Sequence, residues 1–249
     1  MEQKSNIILV SDFGRSGQGW LSYMICYILN ARFIEPYDFL NGKIYSSSKE
    51  VVSLTSGNLP GREKTKFNLV VKTHNYPSAD FNLTDKVIFL IRDPRDVAVS
   101  MHNLHLIQER KVGRINPRAK SFLLLWKYCK IFDYIKIMSA WQKHYSCWHK
   151  VSCHQVRYED LLNTPQETLK GILNYLKTPI DDKVINEAIS LFSFEKITGR
   201  KRGEEDRQNP EFRKGISGDY KNKFSKFDLW LMNTKFKSII KKSGYEIDH

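Results

Sequence analysis

The chain has little that would tie it to a membrane, a metal or an oxidising compartment. Across its 249 residues no apolar run approaches the roughly 20 residues that a membrane-spanning helix requires. Its first residues, Met1-Glu2-Gln3-Lys4, lack the charged-then-apolar layout of a secretory signal. A cytoplasmic protein without a membrane partner is therefore expected, and the Asn82-Leu83-Thr84 glycosylation sequence carries little meaning. Four cysteines, Cys26, Cys129, Cys147 and Cys153, show neither metal-ligand spacing nor a disulfide framework, so buried free thiols and no metal are expected. Acidic residues are also short, 27 against 40 Lys and Arg, which leaves a net charge of +13. That balance suits nucleic acid, a membrane surface or a small polyanion. The charge is dispersed, densest over residues 196–207 and 213–226, and a solvated basic surface accounts for it equally well.

The familiar nucleotide loops are missing too. The stretch that organises the chain is Val10-Ser11-Asp12-Phe13-Gly14-Arg15-Ser16-Gly17-Gln18-Gly19-Trp20. It is not G-x-G-x-x-G, and Gly19 is followed by Trp20-Leu21 rather than by a phosphate lysine and a magnesium-binding hydroxyl. What remains is an apolar run, a glycine-rich turn and an apolar segment of helical period: strand, turn, helix. Glycines let the backbone reach positive φ and let N–H groups converge, and a helix start adds its own donors and dipole. Such a turn can cradle a phosphate-like anion. Taken alone, it reads equally well as an ordinary turn that binds nothing.

Further along, residues 32–66 are punctuated by Gly and Pro and read as loop, with Ser46-Ser47-Ser48 inside it. Residues 67–72 form a short apolar strand with Thr73-His74 at its end, and residues 87–91 form a continuous buried one. The latter runs into Arg92-Asp93-Pro94-Arg95-Asp96, where Asp96 is the natural N-cap of a helix over residues 97–105. Residues 122–149 are helical, and most of their aromatics (Phe122, Trp126, Tyr128, Phe132, Tyr134, Trp141, Tyr145, Trp148) are assigned to core. Residues 151–158 read as a strand, and Thr164-Pro165-Gln166-Glu167 as a capping box opening a helix to Leu176. Asp181 or Asp182 caps a helix to Leu191, and residues 228–242 form a closing helix stopped by Gly244. Alternating strands and helices give an α/β class: a single domain over residues 1–249 with a central parallel sheet flanked by helices. In such sheets ligands sit beyond the carboxyl ends of the strands, where Arg15, Lys72, His74 and Arg92 fall. Arg92 and Ser100 could clamp a second phosphate, so a ligand with two separated anionic groups is implied.

Together these segments resemble the cytosolic sulfotransferase family, over nearly the whole chain. Phe13-Gly14-Arg15-Ser16-Gly17-Gln18-Gly19-Trp20 is similar to its 5′-phosphosulfate loop, and Val71-Lys72-Thr73-His74 to the strand end bearing its catalytic histidine. Ile91-Arg92-Asp93-Pro94-Arg95-Asp96-Val97-Ala98-Val99-Ser100 resembles its 3′-phosphate site, as does Phe212-Arg213-Lys214-Gly215-Ile216-Ser217-Gly218-Asp219-Tyr220-Lys221-Asn222. Tyr158-Glu159-Asp160-Leu161 and Phe192-Ser193-Phe194 resemble its adenine-side segments. The resemblance implies a P-loop-like sulfotransferase fold and 3′-phosphoadenosine 5′-phosphosulfate as donor, with no metal. It implies His74, Lys72 and Arg15 as catalytic residues. Arg15, Ser16, Gly17, Gln18, Gly19, Trp20, Arg92, Ser100, Tyr158, Ser193, Arg213, Lys214 and Gly215 would bind the donor. A small-molecule hydroxyl or amine would be the acceptor, with self-association common in the family. The loop departs from the family's P-K-S-G-T-T-W at Gly14-Arg15 and Gln18-Gly19, and Arg15, always protonated, can stabilise a leaving phosphate without donating a proton. Two other classes compete. A P-loop-like nucleotide kinase or NTPase lacks its lysine here, and a basic nucleic-acid-binding domain lacks a helix-turn-helix or RRM motif.

Overall fold

A computed structural model describes residues 6–34, 53–77, 84, 86–111, 130–206 and 212–248. The Ser46–Ser48 run, Phe122, Trp126, Tyr128 and Cys129 lie outside these. In chain order the elements are β1 (Ile7–Ser11), α1 (Gln18–Leu29), β2 (Arg32–Ile34), β3 (Leu69–Thr73), β4 (Val87–Ile91), α2 (Pro94–Lys111) and α3 (Lys130–Trp148). They continue with β5 (His154–Arg157), α4 (Tyr158–Asn163), α5 (Pro165–Leu176), α6 (Asp182–Leu191) and α7 (Phe194–Thr198). The last are α8 (Tyr220–Lys223), α9 (Lys226–Lys235) and α10 (Lys237–Lys242). Chain contacts group these into two compact units, residues 1–91 with 146–199, and residues 92–145 with 200–249.

The first unit holds the sheet, five parallel strands in the order β2-β3-β1-β4-β5. Helices flank it, as the alternation of elements predicts. β1 sits in the middle because it is apolar enough to be buried along its length, and β4 is buried at every residue. Helix α1 is apolar nearly all round, and it packs on β3 and α6 in a core that includes Ile8, Val10, Leu21, Met24, Leu173 and Phe192. Trp148 stacks on Phe89, ring centroids 5.8 Å apart, and its indole N–H donates to the Asn75 carbonyl at 3.1 Å. The strand order puts β1 between β3 and β4, so the chain leaves β1 at the point where such sheets bind ligands.

The second unit is helical and is held by a buried arginine. Arg95, 2% exposed, donates to Asp93 (2.7 and 3.0 Å), Asn233 (3.1 Å), Asp248 (3.2 Å) and the Glu246 carbonyl (2.8 Å). Its guanidinium also lies 4.3 Å from the Tyr220 ring centre. Trp141 and Tyr145 stack at 5.2 Å, and Ser225 with Asp228 closes a capping box on α9.

Several local expectations are corrected. The cap of α2 is Asp93, whose carboxylate accepts from the Arg95 amide, with Pro94 at the first helical position. Asp96 is freed for longer-range bonds. Thr164 makes no cap bond because its hydroxyl donates to the Asp160 carbonyl of the preceding turn. Strand β5 stops at Arg157, and Tyr158 opens α4. The closing helix is two helices that break at Phe236. A short edge strand, β2, lies where loop was read. Phe132 is 63% exposed, and of the described cysteines Cys26 alone is buried, its thiol pKa pushed up by that burial. Among the described residues no helix is long and apolar enough to cross a membrane.

Replacing Arg95 by Met leaves the buried Asp93 carboxylate without its cation, and should cost about 3–5 kcal/mol. Urea unfolding should show the midpoint falling with little change in slope; an unaltered midpoint would show that the cluster does not hold the unit.

Candidate active site

In the first unit, the glycine loop takes its shape from three left-handed residues, Gly14 (φ 105°), Arg15 (φ 62°) and Gly17 (φ 89°). Left-handed residues so close together turn successive N–H groups toward one side, the geometry of an anion nest. Gly17 is also the N-cap of α1, and no side chain caps that helix start. At Gly17 a Cβ would lie 2.9 Å from Cδ2 and Cε2 of Tyr158, so glycine is required by backbone and by space together. The Tyr158 ring, buried, meets the Trp20 ring edge-on at 6.2 Å. Trp20 is half-buried, with its indole N–H donating to the Phe192 carbonyl at 2.7 Å. Ser193, next in sequence, caps α7 by accepting from the Lys196 amide at 3.3 Å.

The loop is bound to the end of β3. Gln18, 2% exposed, directs its amide to the carbonyls of Val10 and Thr73, so its side chain joins two strand ends. Its contribution to an anion falls to its main-chain N–H. Asp12, fully buried, donates its own amide to the Thr73 carbonyl at 3.3 Å. Its Oδ2 accepts from the Ser16 amide at 3.2 Å, and its Oδ1 lies 2.6 Å from Nδ1 of His74. Burial disfavours a charged His74 ring and Lys72 adds to that, yet the Asp12 carboxylate outweighs both and the His74 pKa stands above the ordinary imidazole value. Loop, Lys72, His74, Trp20 and Tyr158 are thus brought together at one end of the sheet. Asp12 is the residue that motif reading missed; a carboxylate beside an anion cradle was the available signal.

The second unit gathers the other expected anion ligands. Arg92, buried, donates to the Ile216 carbonyl at 2.9 Å and lies 3.5 Å from Asp96. Asp96 accepts from the amides of Gly218 (2.7 Å) and Tyr220 (3.0 Å), fixing the loop over residues 213–220 onto the start of α2. In that loop Arg213 donates to Asp219 (2.6 Å) and Glu205 (3.0 Å), and Lys214 to Asp219 (2.9 Å). Burial would raise the pKa of Asp219, but the hydrogen bonds of Lys214 and Arg213 win and hold it below the usual carboxylate range. Gly215 has φ 64°, and Ser100 is buried on α2.

The chain matches the model of the sulfotransferase domain over residues 5–245. It belongs to the sulfotransferase family. Dog sulfotransferase 1B1 is 27% identical, with 94% of this chain and 82% of that protein covered. Mouse sulfotransferase 1 family member D1 is 25% identical, with 90% and 80% covered. Among solved structures, mouse sulfotransferase SULT7A1 complexed with PAP superposes with a TM-score of 0.60 at 20% identity, covering 96% of this chain and 84% of that one. Retinol dehydratase in complex with androsterone and inactive cofactor PAP gives 0.58 at 17% identity, covering 98% and 82%. The structural likenesses bear out the expected fold, and the family match bears out the resemblance drawn from the motifs.

The Gly17–Tyr158 contact makes a direct test of the loop. Gly17→Ala should destabilise this sulfotransferase by about 1–3 kcal/mol, part from positive φ and part from the clash. In a double-mutant cycle with Tyr158→Leu, the steric part should disappear and the backbone part should remain. Purely additive unfolding free energies would mean that the ring does not define the loop.

Proposed function

We propose that the chain transfers the sulfuryl group of 3′-phosphoadenosine 5′-phosphosulfate to a hydroxyl or amine of a small molecule, with His74 as general base. The observation that carries this reading is the placement of His74: its ring is fixed on a buried carboxylate beside an uncapped, glycine-shaped helix start, in a chain of this family. The cradle suits the donor's 5′ group, because its left-handed residues turn N–H groups toward one side at a helix start that no side chain caps. The donor supplies the activated sulfuryl group. Gly17, Gln18 and Gly19 would offer main-chain N–H groups and Ser16 its hydroxyl to its 5′ end, with Arg15 and Lys72 as cations and Trp20 stacking on adenine. Tyr158 and Ser193 are assigned to the adenine side, and Arg92, Ser100, Arg213, Lys214 and Gly215 to the 3′-phosphate.

The chemistry balances without redox change. Nε2 of His74 takes the acceptor proton as the acceptor oxygen or nitrogen bonds to sulfur. The bond between sulfur and the 5′-phosphate oxygen breaks, and that phosphate leaves with the electron pair. Charge growing on it is met by the loop N–H groups, Arg15 and Lys72, which are placed before the reaction begins. The same reading includes one catalytic domain over residues 1–249, a cytoplasmic location, and self-association of the kind the family resemblance implies.

Incubation with sulfur-35-labelled donor and a panel of one phenol, one primary alcohol and one primary amine should label at least one acceptor. His74→Gln should lower that turnover about 10²–10⁴-fold, the range of general-base catalysis, while affinity for the desulfated donor product changes little. Labelling that is undiminished in His74→Gln would remove His74 from the role of base.

A further inference from the structure

The histidine expected to act as base does not stand alone in the structure, and its partner lies outside the motifs. We propose that Asp12 is a positioning residue for His74: its buried carboxylate holds the imidazole with Nδ1 protonated, presents Nε2 to the acceptor, and ties the ring to the donor loop. This rests on the reading of His74 as base.

The geometry carries the assignment. Oδ1 of Asp12 lies 2.6 Å from Nδ1, too close for two lone pairs to face each other, so that nitrogen bears hydrogen and the lone pair of the neutral ring is on Nε2. The N–H is aimed at the Asp12 main-chain oxygen rather than along a hydrogen bond to Oδ1. The main-chain oxygen of Asp12, 3.4 Å from Nδ1, favours the same tautomer. The His74 side chain is 41% exposed whereas Asp12 is 1% exposed, so a proton taken from an acceptor arrives on the ring and not on the carboxylate. When it arrives, the positive charge stands beside a fixed, buried negative one, the division of labour seen between Asp and His in serine-protease triads. The second carboxylate oxygen is engaged by the Ser16 amide, so Asp12 cannot swing away from the ring without releasing the loop.

Among the described residues, two charged groups act on His74, from the two strands whose ends it joins: Asp12, after β1, and Lys72, on β3. Lys72 and burial favour the neutral ring, and Asp12 favours the charged one. Asp12→Asn keeps the shape and removes the only opposing charge of this pair, so it exposes the other two influences. The His74 pKa should then fall, and the acid limb of kcat/KM should move to lower pH, because the base must be neutral to act. The plateau should drop about 10- to 100-fold as tautomer control and imidazolium stabilisation are lost.

The test is a nitrogen-15 NMR titration of the His74 ring in the full chain with 3′-phosphoadenosine 5′-phosphate present, in wild type and Asp12→Asn. The expected result is the Nδ1–H tautomer in wild type, and in the variant a lower pKa with loss of that tautomer. An Nε2–H tautomer in wild type overturns the proposal, and that measurement stands even if the variant does not fold. A variant with the pKa and tautomer of wild type overturns it too. His74→Gln with the acceptor panel separates the two ideas: full turnover there removes the base, whereas lost turnover with an unmoved Asp12→Asn titration removes Asp12 alone.

Discussion

The ends of β1 and β3 lie side by side in register, Ser11 against Thr73, and what joins them decides what the site can do. Hydrogen bonds and an ion pair make the join. The Asp12 amide and the Gln18 side chain both reach the Thr73 carbonyl, and the Asp12 carboxylate reaches the residue after it, His74. Asp12, Gln18 and Thr73 are buried, so among them a missing partner would leave an unsatisfied polar group and cost more than the bond itself is worth. The glycine loop and the histidine are therefore not two features that happen to be neighbours. They are one rigid piece, with the loop's left-handed residues setting where N–H groups point and the carboxylate setting where the imidazole points.

The second unit sets several cations inside folded protein, each beside a carboxylate. Arg92, Arg213 and Lys214 carry the positive charge, and Asp96, Asp219 and Glu205 balance it. Asp96 does this while also holding the amides of Gly218 and Tyr220, so the acid that neutralises Arg92 is also the anchor of its loop. Such pairing fixes the forks of the arginines and lowers the entropy lost on binding. Under the proposed assignment of these residues to the 3′-phosphate, a phosphate would compete with carboxylates and gain most from donors those acids do not saturate. Arg213 Nε, which makes no hydrogen bond among the described residues, is one.

Much of this was legible in the sequence, for reasons that particular residues make clear. β4 and the core of β1 are continuous apolar runs, so burial on both faces could be read directly. The glycine turn, His74, Arg92 and the Arg213-Lys214-Gly215 loop stood out because each breaks the pattern around it. Asp12 was missed because its partner is 62 residues away and no periodicity connects them. Gln18 was read as a donor to the ligand, yet the strand carbonyls nearby claim its amide first. Asp96 looked like a cap because it is acidic and near a helix start, but Pro94 lets Asp93 take that position and leaves Asp96 for the loop. β2 has a charged first residue and three residues in all, too few for any alternation to show.

On the proposed reading, this chain would bind one nucleotide by two anionic ends. Calorimetric titration with 3′-phosphoadenosine 5′-phosphate, 5′-AMP and ATP–Mg²⁺ tests it most directly. Loss of one phosphate held by charged hydrogen bonds should cost at least about 100-fold in affinity. The account predicts tight binding of the 3′,5′-bisphosphate, binding of 5′-AMP weaker by that factor, and no preference for ATP–Mg²⁺. Equal affinity for the bisphosphate and 5′-AMP, or binding of ATP–Mg²⁺ alone, would contradict it.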